Sequence, residues 1–518
     1  MKTANVRVRL KGTETYLPTV PARPGSAGKM QASGDGATPQ DAPQPHQGAS
    51  VTRRMAGWRP TGAGPISVVQ GDQPELVRRS RDLARNNPQA RRALSLYGTH
   101  IVGTGMKPRW LTGNAYLRDA LHEKWEEWAP YADADGVLCA YGMQALAVNE
   151  MAEGGESWGR FRMRRRSDGL PVPLQVQLIP VEQVPLNYSL PNGNNTVVQA
   201  IERNAIGQRV AVWMYRAHPG DPVPMRVMDG STLVRVPFGD ALQLYNVARI
   251  GQLRGLPWLA PCMTVLQQVG IWQDASVMRK QILTMMVGFV RKVANGGVSA
   301  EELAQKWGEI QEEIGDMPGV SLEPGTLQYL DLGEEVQFTN WQETAGADEI
   351  FLRSSFQAVA AAADQVYEEL TGDWKNTNDR TYRANFATFK RRARQWQFHL
   401  LAHQFVRPIV RRWVDVAVGS GAVKVPKSVP DADLYRVTYV PERWEYLNPK
   451  QDVEAVTMEI DNGLTARSVE VAARGDDAEV VDALRAADQQ REQRLKIARQ
   501  PATKKPTEPD PAEQDHQP

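Results

Sequence analysis

The chain has 518 residues, with 61 Lys+Arg against 60 Asp+Glu and a net charge of +1. That length allows two or more domains with a sizeable core, and that balance argues against a protein that grips nucleic acid by bulk charge. Two cysteines, Cys139 and Cys262, make neither a disulfide framework nor a zinc site and fit a reducing compartment.

The opening "MKTANVRVRLKGTETYLP" has no apolar run long enough for a signal peptide. No window of about 18 apolar residues occurs either, so a soluble protein, cytosolic or part of a particle, is expected. Residues 17–65 are rich in Pro, Gly, Ala, Ser and Gln, and 1–70 reads as a disordered tail. Residues 73–103 predict two helices separated at Asn87-Pro88, because proline starts helices and disfavours helix just before it. Residues 115–130 and 139–153 also predict helices. The period then changes to the alternation of half-buried strands over 158–165, 174–180, 197–204 and 209–216, with a hairpin turn at "NAIGQ" (204–208).

From 256 the chain reads as mostly helical. Leu259, Met263, Leu266, Val269 and Trp272 recur near helical spacing, predicting a helix over 257–286 about 45 Å long. Pro257 suits its first turn. Such a helix is marginal unless its apolar stripe finds neighbours, in the same chain or in other copies. "SAEELAQKWGEIQEEIGDM" (299–317) opens on a capping box and predicts a short acidic helix with Glu301, Glu302, Glu309, Glu312 and Glu313. Residues 325–341 predict two short strands around Gly333. Further helices are predicted over 346–370, 381–418 and 449–499, and 500–518 reads as a second disordered tail.

Several short motifs invite a catalytic reading. "GESWG" (155–159) matches a nucleophile elbow, but that motif needs strand, turn, helix, and here a helix precedes and a strand follows. "HLLAH" (399–403) sets two histidines one turn apart, without the glutamate and third ligand of a zinc protease. "YADADGV" (131–137) is a fragment of a calcium loop and reads as a turn. The chain has no phosphate-binding G-x-x-x-x-G-K-[ST] loop. No catalytic residue, metal or cofactor is therefore expected. The basic runs 77–82, 162–166 and 390–394 read first as solvated faces or intersubunit ion pairs. The polar segment "DWKNTNDRT" (373–381) joins two helices with Trp374, Lys375, Asn376, Thr377, Asn378 and Arg380. It suits weak contact with a polyanion: few charges and many amides.

Six stretches, "RSRDLARNNPQARRAL…IVGTGMKPR", "VPLQVQLIPVEQV", "IERNAIGQRVAVWMYRAHPGD", "GQLRGLPWLAP", "LEPGTLQYLDLGEEVQF" and "ELTGDWKNTNDRTYRANFATFKR", together resemble the portal proteins of tailed bacteriophages, lambda family. They come in the same order across roughly 71–455. The resemblance implies an α+β portal fold and a ring, commonly of twelve subunits, at one capsid vertex of the virion, assembled in the host cytoplasm. Double-stranded DNA enters and leaves through it. The implied partners are the large terminase subunit, head–tail joining proteins, and major capsid and scaffold proteins. It also implies a wing over 71–255 with 381–448, stem helices at 256–287 and 345–371, and a clip at 288–344. A channel loop at 372–380 and a helical crown at 449–499 complete the plan. On this plan Leu259, Met263, Leu266, Val269 and Trp272 pack the stem. Residues 374–378 and Arg380 face DNA, and the clip glutamates form a docking face. The other classes left open are a minor capsid or baseplate adaptor without a conduit, and a serine hydrolase using Ser157.

Overall fold

A single proline divides the first helical stretch, as its chemistry requires. The structure is a computed structural model that describes residues 60–221, 233–285, 289–292, 334–337, 346–375, 377–442, 444, 449–473 and 478–497. Helix α1 (Pro65–Asn86) stops at Asn87, whose extended backbone precedes Pro88. The Asn87 side chain then accepts from the Ala90 amide at 2.9 Å and caps α2 (Pro88–Ile101). Helix α1 begins at Pro65, so residues 65–70 are helix where tail was expected. The remainder of 1–70 lies outside the described residues, apart from 60–64.

Strand β1 (Lys107–Trp110), α3 (Ala115–Trp128) and α4 (Ala140–Gly154) follow. Strand β2 (Glu156–Met163) lies between β3 (Leu174–Ile179) and β9 (Ala241–Tyr245), antiparallel to both. A second antiparallel sheet runs in chain order: β4 (Leu190–Asn192), β5 (Asn195–Val198), β6 (Ile201–Arg203), β7 (Arg209–Tyr215) and β8 (Leu233–Pro237). The expected hairpin around 204–208 is β6–β7. Residues 197–204, expected as one strand, are two. Gln199 and Ala200 have φ of 53° and 64°, and β5 turns back there to pair with β6. Alternating polarity cannot reveal a turn made by residues that are themselves buried.

The second half is mainly helical: α5 (Met263–Met285), α6 (Ala347–Ala362), α7 (Tyr367–Thr371) and α8 (Asp379–Trp396). Helix α8 continues through a π-helical segment (Gln397–Val406) into α9 (Arg407–Gly419). Strand β12 (Val437–Val440) pairs with β1, and α10 (Pro449–Asp461), α11 (Arg467–Ala473) and α12 (Ala478–Leu495) come last. Strands β10 (Phe289–Lys292) and β11 (Glu334–Gln337) form a separate pair. The acidic helix expected at 299–317, with Glu301, Glu302, Glu309, Glu312 and Glu313, lies outside the described residues.

The main core gathers α2, α3, α4, α8, α9 and the first turns of α5. At its centre Trp110, Trp125, Trp128 and Trp413 pack ring to ring, with centroids 5.0 to 6.3 Å apart. Aromatic side chains bring large apolar area and prefer such edge and tilted contacts. A smaller core, including Trp158, Ile201, Val212 and Val236, backs the five-stranded sheet.

Candidate functional site

The stretch "GQLRGLPWLAPC" (251–262) launches α5, and its chemistry is set by a buried arginine. Arg254 and Glu156 are wholly buried, and Arg254 Nε donates to Glu156 Oε1 at 2.6 Å. The other guanidinium nitrogens donate to the carbonyls of Gln199 (3.0 Å) and Val184 (2.9 Å), and the group lies over the Trp158 ring. Glu156 also accepts from Gln73, Gln243 and the Gly255 amide. A buried charge needs such complete pairing. The network ties α1, β2, β9 and the β5–β6 turn to the foot of α5. Charge pairing over about 100 residues leaves no mark in local sequence, so "GESWG" and "GQLRGLPWLAP" drew notice without showing that Glu156 and Arg254 pair.

Two glycines allow this crossing. Gly155, with φ of 89°, ends α4, and a Cβ there would meet the Leu256 backbone at 2.5 Å. A Cβ on Gly255 would run into the Gly155 carbonyl. Only hydrogen fits at either place. Ser157, the centre of "GESWG", is buried mid-sheet opposite Leu244 in β2, so the strand reading of that motif holds.

Helix α5 starts at Met263, not at 257. Residues 258–262 are turns, closed by Ala260 N to Pro257 O (3.1 Å) and Cys262 N to Leu259 O (2.9 Å). Pro261 supplies no amide and disfavours helix in the residue before it, which delays the start until past it. Leu259, Met263 and Leu266 are buried in the main core together with Val359 of α6. Val269 is buried too, and Trp272 packs against Phe351 with ring centroids 5.1 Å apart. Around and beyond that contact several large apolar side chains of the pair face solvent. Ile271, Val277 and Met278 on α5, and Ile350 and Phe351 on α6, are exposed.

The helix predicted over 346–370 breaks at residues 363–366, where Asp364 takes φ of 51°. Helix α7 then leads into residues 372–378, which turn into α8. Gly372 takes φ of 72° in the turn. Trp374 is half exposed and lies edge-on to Tyr382. Lys375 Nζ reaches Glu349 at 3.4 Å on the exposed side. Thr377 donates to Glu368 at 3.2 Å. Asn378 caps α8, accepting from the Thr381 amide at 2.8 Å. Its side-chain oxygen is thus engaged in the cap. Arg380 is exposed in the first turn of α8, and Asn376 lies outside the described residues.

The base of this loop is fastened to the main core. Glu369 accepts from the Tyr382 hydroxyl at 2.8 Å and lies 2.7 Å from His100 Nε2. Burial pushes the Glu369 carboxyl up, but the hydrogen bonds from His100 and Tyr382 outweigh it and hold the group below the usual carboxylate range. The ends of the loop are thus fixed, while Trp374 and Lys375 are open to solvent.

The surroundings of the two remaining motifs are defined. Asp133 of "YADADGV" accepts from the amides of Asp135, Val137 and Leu138. Its carboxylate closes a turn. His399 packs against Phe398, and His403 lies 3.5 Å from Arg407 on the exposed side of the π-helical segment. Among the described residues no three ligating side chains converge, and no helix is long and apolar enough to cross a membrane.

Comparison with known proteins places this arrangement. The probable portal protein of Halomonas phage phiHAP-1 is 22% identical to this chain over 428 residues, 79% of each. Among solved structures, a chain from the neck of a native gene transfer agent particle, computed with C12 symmetry, aligns with a TM-score of 0.40. It is 15% identical and covers 77% of this chain and 94% of its own. An HK97 family phage portal protein from Corynebacterium diphtheriae aligns with a TM-score of 0.29, 13% identity, 60% of this chain and 85% of its own. The family model for phage portal protein, lambda family, matches residues 51–397, from ahead of α1 to the end of α8, and the chain belongs to that family of structural, non-enzymatic proteins.

Proposed function

We propose that copies of this chain close into a ring at a capsid vertex and conduct double-stranded DNA, with residues 372–380 of each copy facing the channel. The observation that carries this reading is the bare half of the α5–α6 pair. Ile350 is 71% exposed and Met278 62%, on helices whose other ends are fully packed. Several large apolar side chains left in water on two packed helices favour an interface there, and a ring covers them with the next copy. In this reading α5 and α6 are the stem, residues 288–344 the clip and α10–α12 the crown. The layers from α1 to β9, with α8 and α9, form the wing. The terminase large subunit and the head–tail joining proteins dock in turn on the clip, which carries Glu301, Glu302, Glu309, Glu312 and Glu313. Capsid and scaffold proteins surround the wing, and the assembled ring is a virion component. A near-neutral chain suits a conduit, since strong counterion release would hold DNA in place.

Electron microscopy of the purified chain tests this reading. Rings of about a dozen subunits, with a hole wider than a duplex, are the expected result. Trp374→Ala with Lys375→Ala should leave the rings intact and lower the DNA retained by particles built with them. Intact rings with unchanged DNA content would remove the loop from the channel.

A further inference from the structure

The ring reading makes no use of the basic run 390–394. Across residues 379–419 the acids are Asp379 and Asp415, against nine lysines and arginines. In a chain of net charge +1 that is a concentrated cationic helix. Part of this charge is answered. Arg383 pairs with Asp379, Arg392 with Asp364, and Arg412 with Asp240. Arg391 and Arg394 are exposed one turn apart on the same face, and neither meets a carboxylate among the described residues.

Arg394 also lines a groove of about 810 Å³ between α8, the chain after β12, and α10 and α11. Lys390 stands beside it, with its ammonium 4.8 Å from the Phe386 ring centre and 5.7 Å from that of Trp444. Burial lowers the Lys390 pKa first and the nearby Arg394 charge lowers it further, while Asp452 opposes both. The other carboxylates at the groove are engaged. Glu442 accepts from the Thr104 amide and Glu470 from the Thr465 hydroxyl. The cleft has aromatic walls and a balanced lining, Arg383, Lys390 and Arg394 against Glu442, Asp452 and Glu470, so the cationic surface is the exposed Arg391 and Arg394 face of α8 at its edge.

The chain carries an anion of matching form. After Lys505 the sequence "PTEPDPAEQD" (506–515) holds Glu508, Asp510, Glu513 and Asp515 with no lysine or arginine. Its starting point is near. Glu470 lies at the groove on α11, and Arg467 of the same helix pairs with Asp482 of α12 at 2.7 Å. From Asp482 to Leu495, α12 runs about 20 Å at 1.5 Å per residue. The spacer 496–507 reaches up to about 40 Å at about 3.3 Å per residue, enough to return. Prolines 506, 509 and 511 reduce the entropy lost on docking in an extended form.

We propose that the acidic segment 508–515 docks along α8 of its own chain, with its carboxylates against Arg391 and Arg394 at the mouth of the groove. It presents to this helix the charge pattern of a phosphate backbone and so keeps polyanions off it. The proposal does not depend on the ring reading.

A glutamate-specific protease acting on the full chain reads this docking directly. Cleavage after Glu513, whose next residue is Gln514 rather than proline, should accelerate about tenfold in Arg391→Gln with Arg394→Gln, the factor that corresponds to roughly 1.4 kcal/mol. Cleavage after the half-buried Glu492, and in an Arg164→Gln control, should not change. About 1 M salt, where the Debye length falls to about 3 Å, should mimic the double variant. In a second measurement, a labelled peptide of residues 506–516 should bind the full chain once Glu508, Asp510, Glu513 and Asp515 are changed to amides. It should not bind the native chain. Equal cleavage in native and Arg391/Arg394 variants overturns the proposal. So does protection that appears only when the chain self-associates, which would give the groove to a neighbouring copy. A short DNA duplex that binds native and segment-neutralised chains equally, and is lost in the arginine variant, overturns it in favour of a nucleic-acid site.

Discussion

Arg254 donates through Nε to Glu156 Oε1 at 2.6 Å, and neither side chain is exposed to solvent. The pair joins the strand after α4 to the turn that starts α5, so it fixes where the long helix leaves the α+β layers. Truncating one partner strands the other's charge in the core, which typically costs about 3–5 kcal/mol. Arg254→Met should lose stability in that range, since it leaves Glu156 uncompensated. Adding Glu156→Gln to it should recover part of the loss, because the amide still accepts one of the bonds and carries no charge. Urea denaturation of the three variants checks this. A loss in Arg254→Met below about 1 kcal/mol would mean that the guanidinium is not needed for the crossing.

How far the sequence carried this fold depends on the range of each cause. The Asn87-Pro88 break and the β6–β7 turn with Gly207 were legible because proline, asparagine and glycine act on their own backbone. The start of α5 was misread by one to two turns, since apolar spacing runs unbroken through Leu259 while Pro261 forbids the helix until it is passed. Leu259, Met263 and Leu266 were legible as an apolar face that must be buried. Burial against their own chain instead of a neighbour could not be read, because periodicity marks a face and not its partner. The cap role of Asn378 was hidden in a segment singled out for its polarity. The Arg254–Glu156 network was invisible for a simpler reason. Nothing local distinguishes a charge that will be buried from one that will be solvated.

Glu202 gives the sheet a defined response to acid. Arg235 donates to it twice, at 2.8 and 3.0 Å, and Asn195 once, at 2.7 Å. The Arg235 hydrogen bonds lead in lowering its pKa from 4.5 to about 2. A carboxyl depressed in the folded state contributes stability that is full above its unfolded value. That contribution is lost as pH falls from about 4.5 through about 2. Glu202→Gln should therefore be less stable than the native chain at neutral pH, and the gap should close as pH falls through that window. Thermal melts across pH 2 to 7 read the gap, and a gap independent of pH would assign the loss to packing alone.

The two thiols should separate cleanly by reactivity. Cys262 is 1% exposed, its Sγ lies 3.3 Å from the Leu259 carbonyl, and burial pushes its pKa up to about 11. The thiolate is the reactive form, so this group is doubly protected. Cys139 is exposed at the N-cap of α4, where its sulfur accepts from the Gly142 amide. A thiol reagent should titrate one cysteine in the native chain and two after denaturation. Rapid labelling of both without denaturant would mean that the turn 258–262 opens on its own.

Leu266 and Met278 lie on one helix and should fail in different ways. Leu266 is fully buried in the main core, whereas Met278 is 62% exposed, beyond the last packed turn. Leu266→Asp puts a carboxylate among apolar side chains and should cost more than about 4 kcal/mol, so the chain itself should lose cooperative unfolding. Met278→Glu changes a side chain that the isolated chain leaves in water, and surface changes of that kind stay within about 0.5 kcal/mol. Its melting curve should match the native one. If the bare half of the α5–α6 pair is where copies meet, its rings should nevertheless fail to form, because the carboxylate would be desolvated against the next copy. Circular dichroism and sedimentation of the two variants separate the outcomes. A Met278→Glu chain that folds and still closes into rings would move the contact between copies away from this face.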